Sequence, residues 1–164
     1  MTLISASVAA SAAAPLPLGS NPEPAAAIYT AAVLLLPHLE HGERIDAAVL
    51  RAAMETAFGA SDATGAWDWK TAYDACEAAT VLFLRKYGRA LFRKAGSPAA
   101  RLSALSKIAN LLPTHTRRST ESQTFQQFST PIPLGLVAAH AGAITPADRV
   151  LEPSAGTGLL AILT

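Results

Sequence analysis

The stretch that most constrains this chain is 148–161, DRVLEPSAGTGLLA. Val150 and Leu151 lie in a short apolar run that predicts a strand over 148–152, and Pro153 to Gly158 supply the small residues of a tight turn. A helix is expected to begin near Thr157. No other segment reads convincingly as a strand, and a lone strand cannot make a parallel sheet. Its edges would also be open. The expected fold is a mainly α N-terminal domain followed by the first strand and turn of a Rossmann-like α/β domain, left incomplete within 164 residues.

The helical part follows from spacing and punctuation. Hydrophobic residues make up 51% of the chain but aromatics only 6%, so the excess is largely alanine, a helix former that gives a thin core. Residues 1–24 read as a disordered Ala/Pro-rich leader, interrupted by Pro15, Pro17, Pro22 and Pro24. No basic residue precedes Arg44, which argues against a secretion signal. A first helix is expected over 25–36, ended by Pro37. A second covers 46–58, with Leu50, Met54 and Phe58 at helical spacing and Gly59 closing it. Trp67 leads a long helix to about Tyr87, which Gly88 kinks before a last turn to Lys94. Ser97 and Pro98 restart the chain as N-cap and first helical residue. The next helix carries Leu102, Leu105, Ile108, Leu111 and Leu112, and Pro113 follows. Pro131 and Pro133 break the chain again before a short helix over 134–143. The division is a helical domain over 25–112, a linker over 113–123 and a truncated α/β domain over 124–164.

Several classes of chemistry fall away. The single cysteine, Cys76, excludes an internal disulfide and fits a reducing, cytoplasmic setting. It reads as a small buried apolar residue rather than a reactive thiol. No window reaches the roughly 20 apolar residues of a membrane span. His38, Glu40, His41 and Glu43 share a short polar connection without further ligands, so no metal site is expected. No lysine follows the glycines as in a phosphate-binding P-loop, and Ser154 is not in G-x-S-x-G.

The turn itself carries the chemistry. Gly156, Gly158 and Ala161 satisfy G-x-G-x-x-A, in which small residues let a ligand approach the backbone at a helix N-terminus. Glu152 narrows the ligand. A carboxylate there repels a dinucleotide pyrophosphate and suits a cation such as the ammonium and sulfonium of S-adenosylmethionine. The competing role for Glu152 is to cap the following loop. Upstream, 124–131 reads TFQQFSTP. Together with LEPSAGTG it resembles the amino-methylating N6-adenine DNA methyltransferases, whose first cofactor motif reads Q-F-x-T-P. Gln127, Phe128, Thr130 and Pro131 match that motif. Further back, AFGASDATGAWDWKTAYDACEAATVLFLRKYG and SKIANLLPTHTRRSTESQTFQQFSTPIPLGL are similar to the start of bacterial strawberry-notch-like proteins, which join a methyltransferase-like domain to a helicase.

The resemblance implies an S-adenosylmethionine site formed by Phe128, Thr130, Pro131, Glu152, Pro153, Ser154, Ala155, Gly156, Thr157 and Gly158. It implies DNA as partner, together with downstream methyltransferase and helicase regions of a longer parent chain. The sequence departs from an active member in lacking an (N/D)-P-P-(Y/F) motif, which grips the target amine and stacks on a flipped base. No catalytic residue is therefore assigned, and the 164 residues are expected to be inactive as a methyltransferase. The alternative is a stand-alone helical interaction or DNA-binding protein.

Charge is sorted along the chain. Between Arg85 and Arg118 there is no acidic residue. Arg85, Lys86, Arg89, Arg93, Arg117 and Arg118 are candidate contacts to DNA phosphates. The same residues could form the solvated face of two helices, and Phe83, Tyr87 and Phe92 among them read as core.

Overall fold

The computed structural model describes residues 23–114, 129–145 and 147–163. Most of the expected leader, Arg117, Arg118 and the stretch 124–128 with Phe128 lie outside them. Among the described residues the chain is mainly helical: α1 (Pro24–His41), α2 (Ala47–Phe58), α3 (Trp69–Ala95), α4 (Pro98–Ala109) and α5 (Ile132–Ala141), with short 3₁₀ turns at Asp62–Thr64 and Ala161–Leu163.

The 27-residue α3 is the spine, and α1 packs along it more extensively than any other helix. Alanine makes this possible. Ala31 and Ala32 of α1 and Ala72, Ala75 and Ala79 of α3 are fully buried, and side chains this small let helix axes come close. Leu35, Ile45, Leu50, Met54, Trp67, Tyr73 and Cys76 complete this first core. A second core gathers Leu84 of α3, Leu105 and Ile108 of α4, Ile132 of α5 and Leu159. It therefore draws on residues either side of the segment 113–123.

The breaks expected at Pro37 and Gly88 do not occur. Pro37 does not end α1, which runs through it to His41. Val33 and Pro37 are both exposed, so the carbonyl that Pro37 cannot satisfy lies on the solvent side, where water can replace the missing donor. The helix ends instead at Gly42, at φ +70°, with the Glu43 amide donating to the His38 carbonyl at 2.8 Å. Gly88 does not interrupt α3. It is buried, with Leu84 one turn back on the same face, and the roughly 1 kcal/mol that glycine costs does not break a helix of 27 residues.

Other boundaries shift for local reasons. Trp67 precedes α3 rather than leading it. The Asp68 carboxylate caps the helix by accepting from the Thr71 amide at 2.7 Å, and the Trp67 indole donates to the Ala60 carbonyl at 2.9 Å. The Ser97 cap and Pro98 start are found as expected, with Ser97 accepting from the Ala100 amide. α4 stops at Ala109, before Leu111 and Leu112. Those two turn towards the first core, and the Leu111 carbonyl accepts from the Ile45 amide at 2.7 Å. Pro133 does not break the chain; it lies in the first turn of α5, where its missing N–H has no partner to lose.

No strand forms among the described residues. Segment 148–152 has no ladder partner, and Val150 and Leu151 are 48% and 86% exposed. Beyond Thr157 the chain makes turns and a single 3₁₀ turn in place of the expected α-helix. A strand gains its stability from a neighbouring strand and a covered face, and the described residues supply neither to 148–152.

Candidate functional site

The glycine turn has the backbone that its residues require. Gly156 and Gly158 take φ +51° and +83°, where a side chain is strained. A Cβ on Gly158 would meet nothing within 4 Å, so conformation rather than crowding demands glycine there. Pro153, Ser154, Ala155 and Gly156 are exposed, and Thr157 and Gly158 are half-buried.

Glu152 adopts the loop-capping role. One carboxylate oxygen accepts from the Ser154 amide at 2.9 Å, which fixes the entry to the turn. Just before it, Asp148 holds the Thr145 amide and hydroxyl at 2.7 and 2.8 Å. The Thr145 amide and hydroxyl, in that order, keep the Asp148 carboxyl below its ordinary value.

A second carboxylate reaches the turn from far away in sequence. The Thr157 hydroxyl donates to Glu77 Oε2 at 2.8 Å. Glu77 belongs to α3 and is only 6% exposed. Glu77 is not among the site residues expected from sequence, although its burial has a signal there: it falls on the same helical stripe as Tyr73, Thr80 and Leu84, which are buried. An acid on a buried stripe calls for a specific donor.

Hydrophobic contacts bring the start of α5 to the same place. Pro131 caps α5, and Ile132, the next residue, is buried with Leu159 in the second core. A Cβ on Gly135 would stand 2.6 Å from Leu160 Cδ2 and 3.0 Å from Leu163 Cδ1, so α5 and the C-terminal turn touch at a glycine. Thr130 and Pro131, both exposed, are thus tethered through Ile132 to the segment that follows Gly158. The described part of the upstream motif and the glycine turn are joined through one core. Phe128 lies outside the described residues.

The basic residues divide. Arg85, Arg89 and Arg93 are exposed and spaced four apart on α3, about 6 Å per step along the axis. Lys86 is engaged: its ammonium donates to Glu40 Oε1 at 2.7 Å and sits 5.0 Å from the Tyr87 ring centre. Glu40 and then Tyr87 push its pKa well above the ordinary lysine value. The Tyr87 hydroxyl donates to the same Glu40 oxygen at 3.0 Å, and Lys86, then Tyr87, lower the Glu40 carboxyl. His38 Nδ1 lies 3.1 Å from Glu43 Oε2. Among the described residues no group of three or more metal-ligating side chains converges. No helix among them is long and apolar enough to cross a membrane.

The arrangement can position a small cationic ligand. Two carboxylates, Glu152 and Glu77, reach the glycine turn, which disfavours a polyphosphate and suits positive charge. No family model, no curated protein and no solved structure matches this chain.

Proposed function

We propose that the turn 152–158 is the S-adenosylmethionine-binding turn of a class I methyltransferase that acts on the N6 amine of adenine in DNA. The observation that carries this reading is the pairing of positive-φ glycines with two carboxylates at one turn. The residues fit the group. The exposed turn offers backbone at close range, and the acids match an ammonium and a sulfonium rather than a pyrophosphate. When bound, S-adenosylmethionine supplies a methyl group on a cationic sulfur. Gly156 and Gly158 shape the backbone against it, Glu152 sets the approach to the turn, and Thr130 and Pro131 flank it from the residues just before α5. The 164 residues contain no (N/D)-P-P-(Y/F) motif, so we assign them cofactor holding and no transfer of their own.

Calorimetric titration tests this. S-adenosylmethionine should bind at millimolar concentration or better, NAD should not, and Gly156→Val should abolish the heat. Preference for NAD, no binding of either ligand, or binding indifferent to Gly156→Val overturns the reading.

DNA is the proposed macromolecular partner, favoured by the exposed arginine row on α3. Duplex affinity should fall with salt, and joint Arg89→Gln and Arg93→Gln should weaken it and flatten the salt slope by about two. Lys86→Gln should change it less, because Lys86 is already paired with Glu40. An affinity that ignores salt and the two arginines would remove DNA from the proposal.

A further inference from the structure

A groove of about 340 Å³ lies between α4 and α5, lined by Pro98, Leu102, Leu136 and Val137 with Arg101 and His140. No residue of the glycine turn 152–158 lines it. Its volume sits at the lower end of the roughly 300–1,000 Å³ of small-ligand sites.

Arg101 gives the groove its chemistry. Its Nε is buried and has no hydrogen-bond acceptor among the described residues. The guanidinium carbon lies 5.8 Å from the Phe92 ring centre, so the ring holds the head group from one side. A buried donor without an acceptor is costly, and more so when it is charged. The lining helices cannot supply an acceptor of opposite charge: neither α4 nor α5 contains an aspartate or glutamate, and α3 has none after Glu77. A guanidinium presents parallel N–H donors that match a carboxylate's two oxygens. His140 also lines the groove.

We propose that this groove binds a small carboxylate with an apolar body, of the size of a medium-chain fatty acid. The carboxylate pairs with Arg101, and the chain lies against Leu102, Leu136 and Val137. A phosphate group fits less well, because its greater charge and hydration would face a mainly apolar lining.

The probes are octanoate and octanol, which share a chain and differ in charge. Both are titrated into the 164-residue protein by calorimetry and by amide chemical-shift mapping. Octanoate should bind about tenfold more tightly than octanol and shift amides of α4 and α5. Arg101→Met, which keeps the apolar stem, should remove the tenfold preference. Val137→Trp, on the exposed wall of the groove, should block both probes while leaving Arg101 intact. This second variant decides the matter if Arg101→Met fails to fold. No binding of octanoate at millimolar concentration, equal affinity for the two probes, or octanoate binding that survives Val137→Trp overturns the proposal.

Discussion

Cys76 sits at 1% exposure on the face of α3 that meets α1, with the carboxylate of Glu77 as its chain neighbour. Burial first, and Glu77 second, push its thiol from an ordinary 9.0 up to about 12. The folded thiol therefore keeps its proton where an unfolded one has begun to lose it. Stability from this group is fully present below pH 9 and is lost as pH rises from there through about 12, because the unfolded chain alone gains by ionising. Urea unfolding at pH 8 and pH 10.5 should show a fall in stability for the wild type and a smaller fall for Cys76→Ala. Equal falls would show that Cys76 does not contribute. A disulfide reagent should modify the thiol only at the rate at which the helices open. That Cys76 is buried was legible from its place among Tyr73 and Ala79 at helical spacing. The role of Glu77 was not, because an acid in an alanine-rich helix is usually on its wet side, and only the fold supplies a donor 80 residues away.

At the scale of elements, local chemistry decided the starts of helices better than their ends. Ser97 and Pro98 marked the N-terminus of α4 because a cap is a contact within one turn. Pro37 and Gly88 misled because whether they break a helix depends on which face they occupy, and that is tertiary information. The segment 148–152 forms no strand among the described residues for a related reason: a short apolar run specifies a strand only once another strand lies beside it. Gly135 is the element-scale feature that sequence could not show. It has ordinary helical geometry, and its smallness matters because Leu160 and Leu163 stand over it. Gly135→Ala should gain helix propensity yet lose packing, as the two leucine tips must move. Gly135→Phe should cost about 1–3 kcal/mol by overpacking and should expose the amides of 159–163 to hydrogen exchange while leaving α1 and α2 protected. Unchanged protection at 159–163 would mean that this contact does not hold the C-terminal turn.

At the scale of the molecule, two cores share α3, and the glycine turn is fastened to that helix by the polar contact between Thr157 and Glu77 beside the apolar contacts of Leu159. A buried carboxylate is costly without a donor, so this contact should be worth more when broken from one side than its net contribution suggests. Thr157→Val keeps the shape, removes the hydroxyl and leaves Glu77 in place; it should destabilise by about 1–3 kcal/mol. Glu77→Met removes the charge and leaves only a hydroxyl at the turn's half-exposed edge. Combined, the two substitutions place apolar groups against each other, and the double variant should be more stable than Thr157→Val alone. Chemical denaturation of the four proteins gives the coupling directly. Strict additivity would show that Glu77 and Thr157 do not act as a pair, and the turn would then rest on Leu159 and its neighbours alone. Non-additivity would make Glu77 the link through which occupancy of the glycine turn stabilises α3. S-adenosylmethionine should then raise the unfolding midpoint of the wild type more than that of Glu77→Met.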